Sequence, residues 1–303
     1  MEKGESEMKD IAKMLGCKYP IIQGAMGVIC NPEMVAAVSE AGGYGLLATA
    51  FQKDPEKLKE QVEAVKELTD KPFGANLMAV NPQSLEFAEI LADAGVKAIT
   101  TSAGSPKNLQ PFLKERDIKV FHVVSTAANA VKAEAAGVDA VIAEGSESGG
   151  MQGFNGASTM VLVPLVVDAV KIPVVAAGGI GDSRGYRAAF ALGAQGVQIG
   201  TRFIASKECI AHAIYKDALV SASETDTRLM NWEWAQARVV NTPLVDQRPG
   251  GPSKADFAAM EAKMEQAWVK GDLEASTIPA GQIAGMIKEI KSVRQIIEGI
   301  VAE

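Results

Sequence analysis

The chain of 303 residues predicts an α/β fold, a closed (β/α)8 barrel, on three observations. Short apolar runs alternate with amphipathic stretches to about residue 200, there are eight such runs, and a helical pattern fills nearly every gap. Parallel strands joined by right-handed helical crossovers account for all three. Eight is also the number of strands that closes a sheet on itself, as in a TIM barrel. An open, doubly wound sheet is the competing architecture.

Taken in order, the predicted strands cover 20–23, 44–48, 73–76, 97–101, 119–124, 138–143, 173–177 and 195–199. Helical patterns cover 32–41, 54–68, 84–94, 126–136, 159–170 and 183–192. Gly42, Gly95, Gly137 and Gly193 each stand where a helix gives way to a strand. A left-handed cap there costs glycine no Cβ clash. After residue 203 the rhythm stops. Residues 204–275, with Trp232, Trp234 and the polar loop 247–252, predict a small helical subdomain or lid inserted after the eighth strand. The tail regains helical periodicity over 278–301, so 276–303 is expected to pack back on a barrel of residues 1–203.

A net charge of −7 and a pI near 5.1, with no basic stripe, exclude a phosphate-backbone binder. No apolar run approaches the ~20 residues of a membrane span. The first five residues are polar and acidic, unlike a signal peptide, so a cytoplasmic protein is expected. Cys17, Cys30 and Cys209 form no CxxC and predict reduced thiols. Two histidines, His122 and His212, are too few for a His-rich metal site.

In such a barrel, residues just past the C-terminal strand ends converge on one mouth. The first strand ends in Gly24, Ala25 and Met26, small enough at the start to admit a flat ring. The third ends at Asn76, whose amide suits either the polar edge of that ring or a loop cap. The fifth places His122 and Val124 on one face; a lone histidine in an apolar strand is either a packed core residue or an acid/base group. The sixth ends at Glu144, followed by Glu147, Gly149, Gly150 and Met151, a pattern of either a loop over a site or a plain turn. The last two strands end in Gly178-Gly179 and in Gln198 with Gly200-Thr201. Two successive glycine turns can aim N–H groups at a single phosphate. There is no GxGxxG and no acidic residue at the ~20-residue spacing of a dinucleotide fingerprint, so a mononucleotide such as FMN is expected.

Several segments carry a resemblance to a known family: Tyr19-Pro20-Ile21-Ile22-Gln23-Gly24-Ala25-Met26, Lys71-Pro72-Phe73-Gly74-Ala75-Asn76, Ala143-Glu144-Gly145, Ala176-Ala177-Gly178-Gly179-Ile180 and Gln198-Ile199-Gly200-Thr201-Arg202. With Ala211-His212 and the stretch around Ala280-Gly281-Gln282, they run nearly the length of the chain. The chain resembles the nitronate monooxygenase (2-nitropropane dioxygenase-like) superfamily and within it is most similar to FMN-dependent enoyl-acyl-carrier-protein reductases. The resemblance implies one non-covalent FMN. Its ring would contact Gly24, Ala25, Met26 and Asn76. Glu144, Gly149 and Gly150 would lie beside the ribityl chain and phosphate, and Gly178, Gly179, Gln198, Gly200 and Thr201 would complete the phosphate end. Val124 joins the cofactor set, and His212 is expected to be structural.

One departure bears on the reaction. The family carries histidine directly after the double glycine, as acid/base or substrate-positioning group; here Met151 takes its place. Methionine transfers no protons. Nitroalkane oxidation that starts with carbon-proton abstraction would lose its base, whereas hydride transfer or oxidation of an ionised nitronate depends on it less. His122 is the visible substitute, followed by Val123 where some relatives carry a flavin-contacting lysine. The expected activity is NAD(P)H-dependent reduction of an activated alkene, an enoyl thioester. The alternatives are a nitronate monooxygenase using O2, a quinone reductase, or a silent FMN-binding protein. The expected partner is a small-molecule or acyl-thioester substrate, with neither nucleic acid nor membrane; a homodimer is left open.

Overall fold

The computed structural model describes residues 10–302 except 51, 155, 233–234 and 248–252. The N-terminal residues, Trp234 and most of the loop 247–252 lie outside the described residues.

The eight predicted strands are all present, each end within two residues of its expected position. They are β1 (Ile21–Gln23), β2 (Gly45–Ala48), β3 (Phe73–Met78), β4 (Ala98–Ser102), β5 (Lys119–Val124) and β6 (Ala140–Glu144), then, after a short β7 (Gly150–Gln152) of another sheet, β8 (Val174–Ala177) and β9 (Gly196–Ile199). All neighbours are parallel, in the order β1-β9-β8-β6-β5-β4-β3-β2. The seam closes at Tyr44, whose N–H donates to Ile21 O at 2.8 Å while its carbonyl accepts from Gln23 N at 2.9 Å. The sheet is therefore a barrel.

Helices α1 (Ile11–Leu15), α2 (Pro32–Glu40), α3 (Pro55–Leu68), α4 (Ser84–Asp93), α5 (Gln110–Glu115), α6 (Ala127–Ala135), α7 (Thr159–Ala169) and α8 (Ser183–Ala191) precede β9. The four junction glycines all take positive φ, between +83° at Gly95 and +97° at Gly193, as a left-handed cap requires. Alternation along each strand makes two cores. Ile22, Tyr44, Leu46, Phe121, Ile142 and Val175 point inward and meet Ile11 and Leu15 of α1. That helix plugs the N-terminal end: a Cβ on Gly196, at the start of β9, would come within 3.0 Å of Ile11. The opposite faces, with Leu47, Leu77, Ile99, Val141 and Val197, pack under the helical ring.

Beyond β9 come α9 (Thr201–Ile204), α10 (Ala213–Ser221), α11 (Pro243–Asp246), α12 (Lys254–Glu261), α13 (Met264–Trp268) and α14 (Val293–Val301). The insertion thus carries the expected helices, together with a β-hairpin that the periodicity did not announce: β10 (Thr227–Asn231) and β11 (Gln236–Val240). Ala237 and Val239 alternate into an apolar cluster with Met230, Trp232 and Val245, and β11 pairs antiparallel with β7. The tail is α-helical only from Val293; before it the chain forms a 3-10 turn, Gln282–Met286, which follows Pro279 and Gly281. No helix among the described residues is long and apolar enough to cross a membrane.

Candidate functional site

The C-terminal ends of the strands open into a cavity of about 1060 Å³. Every residue singled out above for catalysis or cofactor binding lines it. Its floor is the last inward position of several strands: Ala48, Asn76, Val123, Glu144, Ala177 and Gln198. Asn76 is fixed there, donating from Nδ2 to Ser102 Oγ at 3.1 Å and accepting from Thr100 Oγ1 at 2.9 Å. Its amide therefore reaches the cavity in a set orientation. The loop after β1 is held by a buried thiol: Met26 N donates to Cys30 Sγ at 2.9 Å. Burial pushes that thiol up to about 12, so it stays protonated.

The loops after β8 and β9 form a backbone cradle. Gly178 and Gly179 both take left-handed conformations, φ +96° and +70°. Among the described residues, the N–H groups of Gly178, Gly179 and Gly200 meet no backbone acceptor. Thr201 Oγ1 accepts from Gly281 N at 2.9 Å, which leaves its hydroxyl proton free to donate. Space here is tight: a Cβ on Gly178 would lie 2.8 Å from Gly145 O, and one on Gly149 would lie 2.5 Å from Gly281 N.

The loop after β6 divides its two carboxylates between different tasks. Glu147 accepts from Thr159 N at 2.8 Å and Thr159 Oγ1 at 2.9 Å, capping the start of α7. Glu144 faces the cavity half-buried, and desolvation raises its pKa to about 7. Ser148, on the same wall, tempers that rise through its interaction with the Glu144 carboxyl. The double glycine continues into β7, where Met151 stands opposite Ala237. Met151 packs with the Trp232 and Val239 cluster while also lining the cavity. Met264 and Trp268 of α13 extend this apolar wall.

His122 sits apart from the inward set. Phe121 and Val123 occupy the interior face of β5, so alternation turns His122 and Val124 toward the helical ring. His122 Nδ1 lies 2.8 Å from Thr101 Oγ1 on the neighbouring strand. Burial drives its pKa down to about 4, so the ring is neutral at physiological pH. It touches the cavity at a side arm between the loop after β4 and α6. His212, outside the cavity, caps α10 by accepting from Ile214 N at 3.2 Å.

Sequence reading missed Ser148, Gly281, Trp268 and the arm residues other than His122, and met Val123 only as the place of a lysine in some relatives. For Gly281 a signal existed, since its segment matched the family without a role attached. For the others only the assembled fold shows the proximity.

Comparison with known proteins gives one consistent result. A family model described as nitronate monooxygenase matches residues 8–93 and 86–303. A probable nitronate monooxygenase of Staphylococcus saprophyticus is 32% identical, over 97% of this chain and 96% of its own. A (3aS,4S,5R,7aS)-5-hydroxy-7a-methyl-1-oxo-octahydro-1H-indene-4-carboxyl-CoA dehydrogenase of Rhodococcus jostii is 30% identical, over 97% and 94%. The solved structure of FabK from Thermotoga maritima superposes with a TM-score of 0.89 at 40% identity, covering 96% of this chain and 94% of that one.

Proposed function

The chain belongs to the nitronate monooxygenase family, and from that premise we propose that it is an FMN-dependent reductase of activated alkenes, taking an enoyl thioester and NAD(P)H. The cradle suits a phosphate monoester: N–H groups with no backbone acceptor among the described residues, a free threonine proton, and left-handed glycine turns packed against the neighbouring loop. When bound, FMN would supply hydride chemistry, accepting hydride from the nicotinamide and delivering it to the β-carbon of the alkene. Gly178, Gly179, Gly200 and Thr201 would hold its phosphate, and Asn76, locked by Ser102 and Thr100, would orient the polar edge of the ring.

The observation that carries the choice of reaction is Met151. It stands in an apolar wall with Trp232, Ala237 and Val239, so the position offers shape and exclusion of water but no base. Abstraction of a carbon-bound proton from a neutral nitroalkane has no group to perform it there. Alkene reduction needs only delivery of a proton at the α-carbon, and Glu144, part-protonated near neutral pH, is a carboxyl in the cavity able to hold one. FabK, an enoyl-acyl-carrier-protein reductase, lends further support at 40% identity.

The test is anaerobic mixing of the flavin-loaded protein with NADH or NADPH. Rapid bleaching, followed by recovery of colour on adding an enoyl thioester, is expected. Absence of bleaching together with oxygen uptake on a nitronate would replace this reading with nitronate oxidation, which needs no base when the substrate arrives ionised.

A further inference from the structure

The side arm of the cavity is not explained by a flavin and an alkene. The arm leaves the barrel between the 3-10 turn Pro106–Asn108, after β4, and helix α6, after β5. Its walls are polar where the rest of the roof is apolar, with Ser105, Ser125 and Asn129 beside His122. Among the described lining residues, the cationic side chains are two, Lys107 and Lys132, and both stand in this arm. They lie on the facing elements, one on the turn and one on the helix.

The chain carries a net charge of −7, yet neither Lys107 nor Lys132 forms an ion pair among the described residues, so no side-chain carboxylate occupies either ammonium. The cavity carboxylates Glu144, Glu147 and Glu261 lie on other elements, and Glu261 is itself paired with Lys53. The backbone at the arm's entrance is also held in an unusual conformation. Ala103 sits at φ +49° and Gly104 at φ +115°, pinned by Val80 N donating to Ala103 O at 3.0 Å. A non-glycine residue in this region is strained and persists only where its surroundings fix it.

We propose that this arm is a phosphate-binding subsite, with Lys107 and Lys132 gripping the phosphorylated end of a long substrate whose reactive end reaches the barrel mouth. The ammonium groups are point donors suited to a phosphate without fixed geometry. The required ligand is an organic phosphate joined to its reacting group by a slender chain. Two sources offer that chemistry: the phosphopantetheine of a thioester carrier, such as coenzyme A, and the phosphates of the nicotinamide nucleotide. The inference rests on the reductase reading for the identity of the ligand, and on the arm alone for the binding of phosphate.

The test is equilibrium binding to the flavin-loaded protein, read by calorimetry without turnover. The probes are coenzyme A, pantetheine, NADP+ and NAD+, the oxidised nucleotides leaving the flavin unreduced, each with wild type, Lys107→Gln/Lys132→Gln and Lys107→Arg/Lys132→Arg. If the arm takes a carrier, coenzyme A binds at least tenfold more tightly than pantetheine. The glutamine variant then abolishes that difference and the arginine variant restores it. If it takes the nucleotide, NADP+ shows the loss instead and coenzyme A does not. Unchanged affinity of both ligands in the glutamine variant, with wild-type thermal stability, overturns the proposal. Phosphate-dependent binding in a protein that reduces no enoyl thioester would retain the subsite and discard the reductase reading.

Discussion

His122 is the residue whose structural setting departs furthest from its expected role. Buried beside Thr101, it is held neutral by desolvation, its pKa near 4 against an ordinary 6.5. Unfolded chain binds the proton more readily than folded chain between those values, so stability is full above about pH 6.5 and falls as pH drops toward 4. The loss amounts to about 3 kcal/mol at ~1.36 kcal/mol per unit. His122→Gln is expected to flatten that part of the profile; urea melts of both proteins at pH 7 and at pH 4.5 read it directly, and an unaltered difference between the two pH values would refute it. Met151 invites the opposite experiment. Met151→His places an imidazole in the apolar wall beside Ala237. Oxidation of neutral nitroalkanes is expected to rise by about 10²-fold, the lower range for a positioned acid/base group. Flavin reduction by NAD(P)H should change little, and stopped-flow measurement of each half-reaction separates the two.

At the scale of elements, Gly178 and the cap glycine Gly95 differ in the room around them, although both take a left-handed backbone. Gly178→Ala adds a Cβ 2.8 Å from Gly145 O on a left-handed backbone. Strain of about 1–3 kcal/mol should distort the cradle and weaken FMN at least tenfold, seen as flavin lost on gel filtration. Gly95→Ala is the control: its Cβ meets nothing within 4 Å, so it should cost about 1 kcal/mol of backbone strain and leave flavin content intact. The strands were legible because parallel strands buried on both faces read as continuous apolar runs closed by such caps. The facing of β5 was not. Alternation groups His122 with Val124 but does not say which group points inward, and Phe121 and Val123 are equally apolar. Nor was the pairing of β11 with β7 legible, because the partners lie 84 (236 − 152) to 88 (238 − 150) residues apart and only the assembled sheet brings them together.

For the molecule as a whole, closure of the barrel depends on β2 meeting β1, and Tyr44 stands at that seam. Its buried hydroxyl lies 2.9 Å from Phe73 O and 2.7 Å from Ala98 O, tying the seam to β3 and β4 across the interior. Tyr44→Phe removes the donor and strands buried carbonyls, at a cost of roughly 1–3 kcal/mol. A lower midpoint in denaturant with unchanged flavin content is expected, since the cradle lies at the opposite end of the strands. The matched segments made the floor and cradle legible from sequence, whereas the roof, drawn from Met264, Trp268 and the 279–283 segment, came into view only with the chain assembled.

The pairing of β7 with β11 has one further consequence. The loop that carries Gly149 and Gly150 past the cradle is also the edge strand of the roof sheet. A roof that swings aside must therefore either break that ladder or drag the double glycine with it. Admission of substrate and release of the proposed flavin would then share part of one barrier, and a variant that loosens the hairpin should exchange both faster.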